Sequence, residues 1–339
     1  MFDEIHKMIT DADYRAAFQN FHALHRVKAV LFGLTGSLPP ILYPVLCELT
    51  AMTWKVLRTS SCRKELKYQV IKVPSATQMN TAIVSHVQHC ISSYREEDRA
   101  IVFCRSKQQV AVLAALFNIN PYFAVHDDEE ALIKNQETKE KWLLGETKVI
   151  VSTSILGCGM DYPHIRDVVH HDPSFTMLDQ YQEDSRGGRD GLECRATTFV
   201  AENKDYRVTD HTYDLGTKAL YDSMKQINQC LRIAPTLYLD GQAVQCVAIP
   251  GASFCAFCES SVANSLTSQI NTNITLPVAV TTYSPPGPRR TPDLFDLSPR
   301  IDLLKYARAK PKNTHSLQSS TSSSPKNMKL NHFSTSSRY

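Results

Sequence analysis

Between residues 66 and 200 the chain alternates two hydrophobic rhythms. Short apolar runs recur at residues 68–73, 100–104, 122–125, 149–152, 168–170 and 197–200. Each is short and mostly β-branched or aromatic, which predicts buried strands rather than helices. Longer stretches with helical character, residues 79–94 and 130–144, stand between them. Strands alternating with helices predict an α/β fold: a parallel sheet covered on both faces and joined by right-handed crossovers.

The flanks read differently. Residues 1–45 carry a helix-like segment, an apolar run at 27–34, a break at Pro39 and Pro40 and another short helix, which is a piece of an α/β layer rather than a whole one. Residues 201–262 are mixed, short of apolar positions and contain a cysteine cluster. From residue 263 onward Ser, Thr, Pro and Asn dominate, a composition that buries too little apolar surface to offset chain entropy, so 263–339 is expected to be disordered. A short amphipathic helix is conceivable within it at 293–306.

Composition refines this picture. The 339 residues, 42% of them apolar, can hold two domains. Net charge is only +3, but residues 262–339 hold ten Lys/Arg against three Asp/Glu, so the tail is basic and the rest is slightly acidic. There is no apolar run near the ~18 residues of a membrane span and no signal-peptide layout at the N-terminus, which predicts a soluble, intracellular chain with no membrane partner. Its ten cysteines are then expected as thiols or metal ligands rather than disulfides.

Several positions carry chemistry. After the run at 149–152, Gly157 and Gly159 allow a tight turn before Asp161. Arg186 and Arg189 follow the next helix-like stretch; three residues apart, they share a helix face and can approach a polyphosphate. Asp3 beside Glu4 offers a hard oxygen ligand next to a base. Thr35 and Ser37 place hydroxyls after the apolar run ending at Leu34, and Arg105 and Ser106 follow the 100–104 run at the carboxyl edge where such sheets bind ligands. Thr153 holds the equivalent position after 149–152. Cys230, Cys246, Cys255 and Cys258 have the spacing C-x15-C-x8-C-x2-C, which suits a closed tetrahedral Zn²⁺ site. His170 and His171 adjoin a strand and point to opposite faces, so they do not share a metal.

The blocks DEIH (3–6), LTGSLPP (34–40), IVFCRSKQQV (101–110), STSILGCGMDYPHIR (152–166) and QEDSRGGRDG (182–191) occur in the order of helicase motifs II, III, IV, V and VI. On these the chain resembles the RecQ-like, superfamily 2 ATP-dependent DNA helicases, particularly divergent fungal members. The resemblance implies a partial first RecA-like lobe with linker (1–60), a complete C-terminal RecA-like lobe (61–200), a RecQ-type zinc subdomain (201–262) and the tail (263–339). It implies ATP and Mg²⁺ at Asp3, Glu4, Asp161, Gln182, Arg186 and Arg189 with the Gly157–Gly159 turn, coupling through Thr35 and Ser37, and contact of Arg105, Ser106 and Thr153 with single-stranded or partially duplex DNA. It further implies 3′ to 5′ unwinding in recombination and repair, in the nucleus.

Two departures stand out. Ser185 replaces the glycine that usually precedes the first motif VI arginine, so a positive φ there would be strained. The segment after motif II also lacks the usual aromatic-rich loop. None of the twelve glycines is followed by lysine, so no G-x-x-x-x-G-K-[ST] phosphate loop lies within these residues. The expectation is therefore an N-terminally truncated helicase, not competent by itself. The alternatives are a non-catalytic nucleic-acid binding module and an inert remnant.

Overall fold

The computed structural model describes residues 1–11, 23, 26, 29–125, 128–157, 161–206, 208 and 213–270. Five parallel strands form one sheet: β1 (Leu66–Val73), β2 (Arg99–Cys104), β3 (Val149–Ser152), β4 (Ile165–His171) and β5 (Cys194–Ala201), in the order β1-β5-β4-β2-β3. Five of the six apolar runs are thus strands. The sixth, 122–125, makes only an isolated bridge between Tyr122 and Ser152. Pro121 donates no backbone hydrogen bond, and the neighbouring β3 is only four residues long, which leaves little ladder to extend.

Alternation along the strands separates two cores. Ala100, Val102 and Cys104 of β2, with Val149, Val151, Val169 and Phe199, pack beneath α3 (Ala76–Ile91) and α4 (Lys107–Leu116). Ile101, Phe103, Ile150 and Val168 face the other way, toward Trp142 of α5 (Glu129–Leu144). Period-two side chains that are apolar on both faces are what a doubly covered parallel sheet demands. Along the second face Met177, Val200, Leu220 and Tyr221 continue the core, drawing in α6 (Met177–Asp184) and α7 (Thr217–Lys225).

Residues 1–50 contribute α1 (Lys7–Thr10), a 3₁₀ turn (Pro40–Leu42) and α2 (Tyr43–Thr50). Their strand pairing among the described residues is a single parallel bridge, Phe2 to Gly33. They are anchored by an apolar cluster in which Ile5, Met8, Leu42 and Leu46 meet Leu178 of α6 and Leu239 of α8 (Ile233–Asp240). Residues 201–262 are better packed than their composition suggested, since Tyr206, Leu215, Leu220, Tyr221 and Leu239 are all buried. Helix α9 (Ala256–Ile270) runs through 263–270, residues whose composition predicted no regular structure. The stretch 271–339, with the conceivable helix at 293–306, lies outside the described residues.

Trp142 joins the α5 face to the sheet. It is fully buried, its Nε1 donates to Ala100 O at 3.1 Å, and its own carbonyl accepts from Arg99 Nε at 2.6 Å. We expect Trp142→Ala to lower unfolding free energy in urea by about 3–5 kcal/mol through lost contacts and a residual cavity. A loss below ~1 kcal/mol would show that this face does not carry the fold.

Candidate nucleotide and metal sites

The first part of the site is built where residues 1–6 meet residues 32–37. Phe2 N donates to Phe32 O at 2.7 Å, Leu34 N to Phe2 O at 2.8 Å and Ile5 N to Leu34 O at 2.9 Å. This pairing leaves Asp3 exposed and turns the chain at Glu4, which holds φ +50°, an uncommon left-handed conformation for a residue with a side chain. The Glu4 carboxylate lies 3.2 Å from His6 Nδ1. That hydrogen bond chiefly holds its carboxyl below the usual range, against the opposing effect of burial.

His6, only 2% exposed, is a node that the sequence reading did not single out. Its Nδ1 is 2.7 Å from Thr35 Oγ1, which also accepts from Ser37 N at 3.1 Å. Its Nε2 is 2.8 Å from Gln182 Nε2, and Gln182 donates to Ser37 Oγ at 3.1 Å. Since the Gln182 amide is the donor, the arrangement requires the tautomer with the proton on Nδ1. Thr35, Ser37 and Gln182 are therefore joined through one imidazole. The signal for it was its place in DEIH, beside the two acids.

The arginines are set by β4, α6 and the turn that follows. Thr176 caps α6, its Oγ1 accepting from Asp179 N at 3.0 Å. Ser185 closes the helix at φ −67°, so the strain foreseen for a residue other than glycine does not arise. Positive φ falls instead on Gly188, at +62°. At Gly187 an added Cβ would lie 2.1 Å from Cys194 Sγ, so this turn presses against β5. Arg189 Nη1 donates to Asp161 Oδ1 at 2.6 Å, which assigns Asp161 to the arginine network. Gly157 ends a 3₁₀ turn (Ser154–Gly157), and Gly159 lies outside the described residues.

These pieces converge. A cleft of about 530 Å³ is lined by Asp3, Glu4, Lys7, Ser37, Asp161, Gln182, Arg186 and Arg189, among others. Asp3, Glu4 and Asp161 bring carboxylates and Arg186 and Arg189 guanidiniums to the same space, which is a donor set for a hydrated divalent cation and a polyphosphate.

Beneath the arginine turn is a buried charged cluster. His170, 1% exposed, places Nε2 2.9 Å from Asp184 Oδ1 and Nδ1 3.4 Å from Glu183 Oε2, and its ring stacks on Phe103. Ser174 Oγ donates to the same Glu183 oxygen at 2.5 Å. Burial alone would depress the imidazole, but the two carboxylates overcome it and push His170 up to about 9. Burial pushes Asp184 up as well, against its hydrogen bonds to His170 and Gln180. We weight the imidazolium, which is bonded at both nitrogens, as the group that keeps its charge.

A second, smaller cavity of about 90 Å³ adjoins the cleft and brings Arg105 and Thr153 together. The Arg105 guanidinium stacks on Phe175 at 4.1 Å, Nη2 donates to Tyr221 Oη at 3.0 Å, and the buried Nε has no acceptor. Ser106 is otherwise engaged: its hydroxyl is the N-cap of α4 in a capping box with Gln109.

The four sulfurs of Cys230, Cys246, Cys255 and Cys258 lie within 4.8 Å of one another, all buried. Cys230 Sγ is 3.5 Å from Cys246 Sγ and 3.8 Å from Cys255 Sγ. A tetrahedron with Zn–S bonds of ~2.3 Å has edges of about 3.8 Å, so the set fits a structural zinc ion. Arg232, 1% exposed, packs against it and donates to Cys246 Sγ at 3.3 Å. A second grouping, His86, Cys90 and Asp167, is instead a buried ion pair: Asp167 takes Arg195 at 2.7 Å on each oxygen and accepts a short hydrogen bond from Tyr94.

Residues 82–191 match the helicase conserved C-terminal domain, a span from within α3 to the end of the arginine turn. Over 240 residues the chain is 25% identical to ATP-dependent DNA helicase Q1 of Pongo abelii, covering 67% of this chain and 36% of that protein. It is 28% identical over 202 residues to putative ATP-dependent DNA helicase Q1 of Caenorhabditis briggsae, covering 58% and 31% respectively. Against ATP-dependent DNA helicase RecQ of Bacillus subtilis it is 27% identical over 194 residues, covering 54% and 31%. The chain thus spans about a third of the length of the curated relatives it matches. Among solved structures, S. cerevisiae Dbp5 bound to RNA and ADP BeF3 aligns with a TM-score of 0.46 at 16% identity, covering 59% of this chain and 52% of that one. The fold assignment rests on the strand order itself.

The His170 cluster gives a pH dependence with a defined sign. Its folded pKa lies above the ~6.5 of an unfolded histidine, so its contribution is complete below that pH and is lost as pH rises through about 9. Unfolding free energy measured in urea should fall between pH 6.5 and 9.5 more steeply in the unsubstituted chain than in His170→Gln. Parallel profiles would rule the imidazolium out as the cause.

Proposed function

We propose that this chain, a relative of the RecQ-type DNA helicases, supplies the C-terminal motor lobe and zinc subdomain of an ATP-dependent 3′ to 5′ DNA helicase. The observation that carries this reading is the ~530 Å³ cleft, which gathers side chains from five separated segments of sequence around one polar space. In it Arg186 and Arg189 would meet a nucleotide's phosphates and stabilise charge that develops during transfer. Asp3 would hold a hydrated Mg²⁺, and Glu4, kept ionised by His6, would orient the attacking water. Held by Asp3, such an ion would supply positive charge against the phosphates. Gln182, His6, Thr35 and Ser37 form the hydrogen-bonded link through which nucleotide occupancy reaches residues 1–50.

Arg105 and Thr153, at the carboxyl ends of β2 and β3, are the proposed contacts to a DNA strand. The unsatisfied Arg105 Nε supports this, since a buried donor without an acceptor favours an incoming phosphate oxygen. Four closely spaced buried sulfurs support a zinc ion that stabilises residues 230–258. Action on DNA in the nucleus, in recombination and repair, is part of the same proposal.

Three experiments test it. Fluorescent mant-ADP with Mg²⁺ should bind the 339-residue chain. Arg189→Ala or Arg186→Ala should weaken that binding about ten-fold, the effect of losing one charge-assisted contact. DNA-stimulated phosphate release by the chain alone is expected to be absent, because no glycine–lysine phosphate loop lies within its sequence. Turnover abolished by Arg189→Ala would establish a working motor and correct that expectation; binding indifferent to both arginines would end the nucleotide reading. Separately, elemental analysis should find one zinc per chain, falling by more than half in Cys246→Ser together with the thermal midpoint. A 339-residue chain that is stably folded without metal would sink the zinc assignment.

A further inference from the structure

The arginine turn is held from behind by a residue that does not line the cleft. Arg63, in the connection leading to β1, donates from Nη1 to Ser185 O at 3.0 Å. Its Nη2 donates to Gly187 O at 3.1 Å and Gly188 O at 3.2 Å, and its Nε to Glu65 Oε2 at 3.2 Å. A guanidinium is a planar fork of five N–H donors, so a single side chain can fix three carbonyl directions. One of those carbonyls is shared: Ser185 O also accepts from Arg189 Nε at 3.4 Å. The orientation that Arg63 imposes on that carbonyl is therefore the one from which the cleft-facing guanidinium hangs.

The backbone of Arg63 is itself fixed. Arg232 donates to Arg63 O at 2.6 Å, to Lys64 O at 3.3 Å and to Ser253 O at 3.0 Å, while its Nε rests on Cys246 Sγ. The path from the cysteine cluster to the arginine turn is thus two guanidiniums long, and each guanidinium grips its neighbours by hydrogen bonds.

We propose that Arg63 is a positioning residue for Arg189, with Arg232 holding Arg63 in register. This rests on the nucleotide reading given above. Arg63 does not itself line the cleft, so it acts through the turn it grips. Lysine at this position would keep the charge but lose the fork, reaching one carbonyl at a time.

The test uses the whole 339-residue chain with mant-ADP and Mg²⁺ as probe. Arg63→Gln should weaken binding about ten-fold, the scale seen when a coupled positioning residue is lost, and Arg63→Lys should recover only part of it. A merely structural role would lower the thermal midpoint and leave the next readout unmoved. In the double-mutant cycle, Arg63→Gln combined with Arg189→Ala should bind no more weakly than Arg189→Ala alone, because both changes remove the same contact. Effects that multiply, or Arg63→Gln binding as the unsubstituted chain does, would overturn the proposal while leaving the nucleotide reading intact. Failure of the unsubstituted chain to bind, or indifference to Arg189→Ala, would overturn both. Should Arg63→Gln not fold, Arg63→Lys carries the same cycle.

Discussion

A guanidinium taken out of water must be paired completely or it costs several kcal/mol. Arg232 meets that demand with main-chain carbonyls and thiols rather than a carboxylate: the carbonyls of Arg63, Lys64, Leu66 and Ser253, and the sulfurs of Cys62 and Cys246. Its partners come from two segments far apart in sequence, 62–66 and 246–253, so the start of β1, the start of α8 that carries Arg232 and the cysteine cluster are fastened at one point. Its face also meets Tyr68, 5.2 Å away.

The position of the cleft follows from the sheet. All five strands run the same way, so their carboxyl ends lie along one edge, and Thr153 after β3 and the α6 connection after β4 open there. β4 sits between β2 and β5, and β3 lies beyond β2, which draws three connections to the same end. The other wall is contributed by residues 1–37, through the Phe2 bridge and the apolar cluster shared with α6 and α8. Helix α6 serves both walls: Leu178 packs toward residues 1–50, while Gln182 faces His6 and Glu183 faces His170.

Much of this was legible in the sequence because it is periodic or contiguous. Runs such as 100–104 carry enough alternate apolar positions to identify both the strand and its doubly buried setting. The blocks around Asp3, Thr35, Asp161 and Arg189 were recognisable as ordered motifs, and the four cysteines by spacing. What stayed hidden was long-range and aperiodic. Arg63 and Arg232 are isolated arginines in segments of no regular pattern, and their partners lie 122 to 125 and 166 to 170 residues away. A serine after a strand suits a backbone contact and a helix cap alike, and Ser106 forms the cap, with Gln109 three residues on. The stretch 122–125 had strand composition but only one bridge to make.

The strand order leaves β1 and β3 as the outer members of the sheet. Unpaired outer strands invite addition of foreign strands and hence aggregation. Here β3 has only four residues, and Tyr122 N already donates to Val151 O. On β1, Lys67 is tied to Glu259 and Lys72 to the carbonyl of Lys225, so two cations flank that side. Both lateral margins are thereby insulated against β-augmentation.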